Sequence, residues 1–423
     1  MSDLIKELDT QALWKEASRC LKCKVPKCKK GCPISTDIPT VMNLFLEKNE
    51  HEAGKVLFEN NPLSAICSIV CPHENNCFGN CVLGIKSAPI SFYKIEQYVS
   101  GKYIADCKID KPESNGIRIA VIGAGPAGIS MSIFMAQKGF RVTLMEQEEQ
   151  IGGVLRYGIP DFRLPRERVD AYRAVLRSLG VSIKPNCHIG SNLLLEDMFI
   201  DGYDAIFLAV GTAKPNRLGL IGETLGHVHF AIDFLKSPKA YDLGKTVAVI
   251  GAGNVAMDVA RTAKRQDGVE KVILINNRRE EDVTATRVEY AEALEEGVEC
   301  LHLMSVLRIT EEGLVAVDVE AVQGENGICY EENMLSKHLI KADTVVLAIG
   351  QGPSGILSEK AEIATTLRGL FAVDENGMTN IPGVFAAGDV VSGPKTVVEA
   401  VAHTKRVAEE MAKYCYEKNK CKK

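Results

Sequence analysis

"IRIAVIGAGPAGISMSIFMAQKGFRVTLMEQ", Ile117 to Gln147, decides the fold. An apolar run suited to a buried strand meets Gly123, Gly125 and Gly128 in GxGxxG spacing, then an apolar helical stretch, then a second strand ending at Glu146. The first two glycines permit the turn and let the start of the helix, with Pro126 and Ala127, approach a pyrophosphate. The third lets helix and strand pack, and Glu146 is placed to bond ribose hydroxyls. Such a stretch predicts a dinucleotide-binding βαβ unit.

A second copy begins at Lys245, "KTVAVIGAGNVAMDVARTAKRQDGVEKVILINNRRE", with Gly251, Gly253 and Ala256 in the GxGxxA form and Asn254 and Val255 opening its helix. Its second strand ends in Asn277, Arg278 and Arg279 where an acid would accept a 2'-hydroxyl. Guanidinium groups there suit a 2'-phosphate, so NADP(H) is expected over NAD(H), the other reading being that the arginines only cap a loop. Two further strands, "YDAIFLAVGT" and "ADTVVLAIGQ", end at Gly211 and Gly350, and "NIPGVFAAGDVVSGPKTVVEAVAHTKRVAEEM" follows. Strands that end in glycine at the carboxyl edge of a parallel sheet lie where ligands bind. The order reads as one dinucleotide domain interrupted by another, over 113–235, 236–345 and 346–423.

Upstream lie two dense cysteine blocks, CxxCxxxxCxxxCP from Cys20, Cys23, Cys28 and Cys32, and CxxxCPxxxxxCxxxC from Cys67, Cys71, Cys77 and Cys81. Short spacings closed by Cys-Pro are a known way to ligate cubane iron–sulfur clusters, with one cysteine of a run serving the other cluster. Structural zinc would call for paired CxxC motifs, and Cys20 and Cys23 form the one example here. Between the blocks apolar residues recur at helical spacing, so 1–112 is expected to be a small helical domain holding two 4Fe-4S clusters. The lysines Lys22, Lys24, Lys27, Lys29 and Lys30 form either a solvated face or a positive surface that offsets cluster charge or docks an acidic partner.

The fold class expected is therefore α/β: an N-terminal helical two-cluster iron–sulfur domain followed by two nested Rossmann-like dinucleotide-binding domains. The bulk numbers agree. The chain has 423 residues, 46% apolar and 25% charged, with net charge -5, which disfavours disorder and nucleic-acid binding. The charged N-terminus shows no signal peptide and no stretch suits a membrane span, so a cytoplasmic protein is expected. In that compartment a chain with 14 cysteines points to metal or redox centres rather than to a disulfide framework. Cys107, Cys187, Cys300 and Cys329 read as packed thiols, and "YCYEKNKCKK" as a frayed helix end.

With "EASRCLKC", "NPLSAICSIVCP", "GGVLRYGIPDFRLP" and "VFAAGDVVSGPKTVVEAV" in order, the chain resembles a flavoprotein family nearly end to end. That family includes the small subunit of bacterial NADPH glutamate synthase, the N-terminal half of dihydropyrimidine dehydrogenase and the large subunit of NADH-dependent reduced ferredoxin:NADP oxidoreductase. The resemblance implies FAD on the first dinucleotide domain, with Gly153, Val154, Arg163, Gly388, Asp389, Lys395, Thr396 and Val397 among the contacting positions. It implies one cluster on Cys20, Cys23, Cys28 and Cys81, and another on Cys32, Cys71, Cys77 and Glu96 of "APISFYKIEQYV", leaving Cys67 spare. A carboxylate ligand would alter the reduction potential. "VTATRVEYAEAL" departs from the family loop beside the nicotinamide nucleotide.

The implied activity is an NAD(P)H-oxidising electron-input subunit that passes electrons through FAD and the clusters to a catalytic or electron-accepting partner subunit. No side chain is expected to serve as nucleophile or base. The leading comparison is the glutamate synthase small subunit. Its rivals are the equivalent subunit of dihydropyrimidine dehydrogenase or of an electron-bifurcating ferredoxin oxidoreductase, and a scaffold subunit that has lost flavin.

Overall fold

The computed structural model describes residues 9–106, 109, 111–191, 193–324 and 327–420. In chain order the elements used below are α1 Thr10–Ser18, α2 Ile38–Leu46, α3 Glu50–Asn60, α4 Ser64–Val70, α5 Phe92–Asp106, β1 Arg118–Ile122, α6 Pro126–Gln137, β2 Arg141–Met145, α7 Arg166–Ser178, β3 Ser182–Lys184 and β4 Ala205–Leu208. They continue with β5 Val228–Phe230, β6 Thr246–Ile250, α8 Asn254–Lys264, β7 Lys271–Ile275, α9 Arg287–Glu295, β8 Glu299–Leu301, β9 Met304–Thr310, β10 Gly313–Gly324, β11 Gly327–Lys341, β12 Thr344–Leu347, β13 Val384–Ala386 and α10 Val397–Lys420.

Two compact units divide the chain. The first comprises the described residues up to Arg156, Asp161–Thr212 and those from Pro353 onward; the second comprises Tyr157–Pro160 and Ala213–Gly352.

In the first unit α1–α5 pack around Leu13, Val41, Met42, Phe45, Leu57, Ile95 and Val99, with Cys77 in the same core. Side-chain caps start two of these helices: Asp9 accepts from the Gln11 amide and Asn49 from that of Glu52. The α/β half is a parallel sheet in the order β13-β4-β1-β2-β3, in which Ile122 pairs with both Met145 and Leu208. Ile119, Ala120 and Val121 are fully buried, as a strand covered on both faces requires. Lys405 Nζ on α10 donates to the Asn60 carbonyl and side chain, at 3.1 and 2.8 Å, and so ties the end of α3 to this half.

The C-terminal residues differ from expectation. α10 stays helical to Lys420 because Val407, Ala408, Met411 and Cys415 bury one stripe, and Lys418 Nζ donates to the Asp204 carbonyl at 2.8 Å. Of the isolated thiols, Cys187 is buried, Cys300 is half-buried and Cys329 is exposed rather than packed; Cys107 lies outside the described residues.

The second unit has its own parallel sheet, β5-β12-β6-β7-β8, over a core that includes Phe234, Val247, Val249, Met257 and Leu274. Its first strand, β5, lies upstream of residue 236, because the short "VHF" run pairs with β12. The sequence reading assigns no element to 304–341; the structure forms the antiparallel sheet β9-β10-β11 there. Among the described residues no helix is long and apolar enough to cross a membrane.

Candidate flavin, nucleotide and iron–sulfur sites

The first glycine turn is a cradle that side chains would fill. Gly123 has φ +95, and a Cβ there would lie 2.4 Å from the Ala209 carbonyl oxygen, where β4 returns to the same edge. At Gly128 a Cβ would lie 1.8 Å from the Gly123 carbonyl oxygen. Gly153 has φ +50 and presses on the loop so closely that its Cβ would stand 2.8 Å from Gly125 Cα. Val154, 40% exposed, and the half-buried Arg163 follow on the same segment. From the far end of the chain, Gly388 (φ +79) comes so close that a Cβ there would lie 3.0 Å from the Ala127 methyl. Residues distant in sequence thus converge at the start of α6, where backbone amides point outward. Gly211 has φ +63 with open space beside it.

Glu146 closes this turn from the end of β2. Its Oε2 accepts from the Ala124 amide at 2.6 Å and its Oε1 from that of Glu148 at 3.0 Å. Burial pushes its carboxyl upward, and these amides oppose the rise. Each oxygen keeps a second lone pair for a hydroxyl. Thr396 and Glu399 form a reciprocal cap on α10: Thr396 N and Oγ1 donate to Glu399 Oε2, and Glu399 N donates to Thr396 Oγ1. The N-cap reading of Thr396 therefore holds, and Val397 begins the helix.

Asp389 accepts from the Lys395 amide at 3.3 Å. Burial raises its carboxyl from 3.8 to about 6, the Lys395 amide opposing and Glu399 adding to the rise. A folded value above the unfolded one favours folding below about pH 4, and that contribution is lost as the pH climbs to about 6. The ionised group then costs up to about 3 kcal/mol. Asp389→Asn is expected to raise the thermal midpoint of the flavin-stripped chain at neutral pH, with the gain gone near pH 4; melting curves across pH check this.

The second glycine turn repeats the design. A Cβ at Gly251 would lie 2.3 Å from the Ala348 carbonyl oxygen, Gly253 caps α8 ahead of Asn254 and Val255, and the Ala256 methyl is fully buried. The start of the unusual 283–294 segment, ahead of α9, is bonded onto this turn. Ala285 N and Thr284 Oγ1 donate to the Ala252 carbonyl at 2.9 and 3.1 Å, and Thr286 N donates to Asn254 Oδ1 at 2.8 Å. Gly350 (φ +93) sits beside Asn216.

The position matching Glu146 is one residue earlier than expected. β7 ends at Ile275, paired with Ile250, so Asn276 rather than Asn277 follows the strand. Asn276 is 5% exposed, accepts from the Arg278 amide at 3.1 Å and meets His302 at 3.3 Å. The longer connection "RQDGVEK" hides this register in the sequence. Arg279 is engaged by Asp282 at 2.7 Å and Glu281 at 3.0 Å, whereas Arg278 is exposed and acts on Asp282 only electrostatically, in no ion pair among the described residues.

The thiols gather in two neighbourhoods. Cys20, Cys23, Cys28 and Cys81 line one cavity, with Cys77, Ile38, Leu83 and Phe92, enclosing about 470 Å³ counted to its open mouth. Burial pushes the Cys28 thiol up to about 11, and Cys81, Cys20 and Cys23 add to it. Cys77 is raised by burial and then by Glu96, Cys71 and Cys32. Cys71 is raised by its contact with the Cys67 thiol, then by burial, with Glu96 also adding. Glu96 is 7% exposed on α5, and burial lifts its carboxyl to about 8. The Ile90 backbone amide points at Cys81 Sγ (3.5 Å) and the Asn76 side-chain Nδ2 at Cys71 Sγ (3.7 Å), the N–H···S contacts that a cluster-bearing thiolate uses. These converging soft donors fit iron–sulfur clusters, and the glycine cradles fit two dinucleotides.

Comparison with known proteins agrees. Residues 117–404 match the family described as pyridine nucleotide-disulphide oxidoreductase, and residues 1–107 match dihydropyrimidine dehydrogenase domain II, 4Fe-4S cluster. The chain is 31% identical over 426 residues to the glutamate synthase [NADPH] small chain of Escherichia coli, covering 93% of this chain and 89% of that one. It is 34% identical over 407 residues to the Escherichia coli NAD-dependent dihydropyrimidine dehydrogenase subunit PreT, covering 95% and 93%. Mycobacterium tuberculosis FprA in complex with NADPH shares the fold at 17% identity, with TM-score 0.63 over 72% of this chain and 85% of that one. The protein is an FAD- and 4Fe-4S-containing NAD(P)H oxidoreductase of the electron-input type. By sequence and by the arrangement of its glycine cradles, the chain belongs to the pyridine nucleotide-disulphide oxidoreductase family.

Proposed function

We propose that this chain supplies electrons from NAD(P)H to a large synthase-type partner, as a glutamate synthase small subunit does. The observation that carries this is where the first thiol set lies. Leu21, which lines that cavity, is 61% exposed, Val25, next to the lining Pro26, is 65% exposed, and Ile85, two residues past the lining Leu83, is 75% exposed. Exposed Lys22, Lys24, Lys27 and Lys30 surround them in sequence. An apolar patch rimmed by cations over a redox site suits an acidic-rimmed partner. A reducing, cytoplasmic setting suits the free thiols.

In this reading 1–112 holds two clusters, on Cys20, Cys23, Cys28 and Cys81 and on Cys32, Cys71, Cys77 and Glu96. The α/β half of the first unit, up to Thr212 and again from Pro353, holds FAD, and the second unit, Ala213–Gly352, holds the nucleotide. FAD, when bound, exchanges hydride on one side and single electrons on the other. The chain's own part is positional. Gly123, Gly125 and Gly128 admit the pyrophosphate to the amides of α6, Glu146 fixes the first turn and ribose, and Asp389 with Gly388 closes over the start of α6. Gly251, Gly253 and Ala256 do the same for the nucleotide.

Arg278 is assigned to the 2'-phosphate, since Arg279 is held by two carboxylates. A charge-assisted bond of about 1.4 kcal/mol makes Arg278→Ala raise KM for NADPH roughly tenfold while leaving NADH unchanged. Steady-state kinetics with both nucleotides checks this.

The function itself is tested with the anaerobically purified full chain. NADPH should reduce flavin and clusters, and an artificial acceptor should turn over, with no glutamate formed until a synthase-type partner is added. Glutamate formation by the chain alone would overturn the reading. Restoration by a pyrimidine-reducing partner instead would favour the PreT-like alternative, which the 34% identity keeps in view.

A further inference from the structure

Helix α7 carries two buried polar side chains one turn apart, Arg168 and Tyr172, 3% and 1% exposed. The helix belongs to the α/β half, where Val169 backs the flavin-side loop: a Cβ at Gly152 would lie 2.8 Å from its Cγ1. The same helix packs on α4 and α5, which carry Cys67 and Glu96. Tyr172 Oη lies within electrostatic reach of the Cys67 thiol and the Glu96 carboxyl, with Arg168 beside it.

These groups are not satisfied by the polypeptide. Arg168 Nε and Nη1 and Tyr172 Oη are buried with no hydrogen bond of good geometry, although the Ala65 amide faces the phenol oxygen. A buried unpaired guanidinium is strongly destabilising, and a buried unpaired hydroxyl adds to that. Such donors persist where an acceptor stands beside them. A cluster ligated by thiolates and a carboxylate is a concentrated anion with sulfur and oxygen acceptors.

We propose that Arg168 and Tyr172 are donors from the flavin-binding half to the ligand shell of the cluster on Cys32, Cys71, Cys77 and Glu96, and that they raise its reduction potential. The inference rests on that ligand assignment. Reduction adds one electron to the cluster and no bond is made or broken. Nearby donors and positive charge stabilise the more negative reduced state, so their removal disfavours reduction. They act through the cluster's ligands and are positioning residues, not catalytic ones.

The test is a redox titration of the anaerobically purified full chain, followed by electron paramagnetic resonance, with iron and flavin counted per chain. Tyr172→Phe keeps the ring that fills the core and removes one hydroxyl. It should retain iron and flavin and lower the equilibrium constant for reducing one cluster roughly tenfold, about 59 mV for a one-electron couple. The other cluster should not move. Arg168→Met should shift the same cluster in the same direction, and Arg168→Lys, which keeps the charge, should restore most of the shift. Should Arg168→Met not fold, Tyr172→Phe decides alone. Unmoved potentials in Tyr172→Phe, or loss of iron from it with flavin intact, would overturn the proposal. A wild-type chain carrying about four irons rather than about eight would overturn the ligand assignment beneath it, a result distinct from unmoved potentials.

Discussion

Gly128→Val yields a chain without flavin. A Cβ at this position would stand 1.8 Å from the Gly123 carbonyl oxygen and 2.9 Å from its carbon, with the Ala209 side chain at 3.4 Å. None of these atoms is the end of a flexible side chain. Either α6 backs away from β1, or the Gly123 peptide, held at φ +95 against the Ala209 carbonyl, must rotate. Both moves open the turn that Glu146 and Gly153 close. Overpacking against backbone exceeds the usual range for core insertions, so a loss of roughly 4 kcal/mol or more is expected. Flavin absorbance per chain after anaerobic purification measures it, and stoichiometric flavin would contradict the cradle. Gly226→Ala is the control, since nothing lies within 4 Å of its Cβ.

Glu96→Ala is expected to lose about half of the bound iron, while Cys67→Ser keeps all of it. Glu96, Cys71 and Cys32 all act electrostatically on Cys77, and Glu96 also acts on Cys71. On the proposed ligand assignment, removing Glu96 leaves three thiols and no fourth ligand. Glu96→Gln, which retains an oxygen donor on the same helix, should hold the iron. Cys67 is 2% exposed on α4 and reaches the site through the Cys71 thiol, so its oxygen analogue leaves the ligand count intact. Iron analysis on the three variants decides the matter. Loss of four irons from Cys67→Ser, with Glu96→Ala unaffected, would make Cys67 the ligand instead.

Much of this organisation is legible in the sequence because it is local. A GxGxxG turn needs positive φ and missing side chains within a few residues of one another, and both βαβ units stand where the glycines put them. The family matches cover the cysteine blocks and the oxidoreductase portion alike. Registers and convergences are less legible. Asn276 takes the place opposite Glu146 because strand pairing, rather than residue count, fixes the end of β7. The antiparallel sheet over 304–341 carries a half-exposed, mixed pattern, and only pairing of β10 with both neighbours defines it. The C-terminal helix persists to Lys420 through an apolar stripe that matters only once the α/β half is there to cover it.

The two dinucleotide turns, their nesting and the soft-ligand chemistry of the N-terminal blocks can be read from residue types at short spacing, because each depends on neighbours a few residues apart. Only packing shows which thiols share a neighbourhood, that among the described residues Arg279 is held in ion pairs and Arg278 is not, and that a helix of the flavin-binding half brings Arg168 and Tyr172 near Cys67 and Glu96. Those outcomes follow from long-range packing of helix faces, which no local spacing encodes.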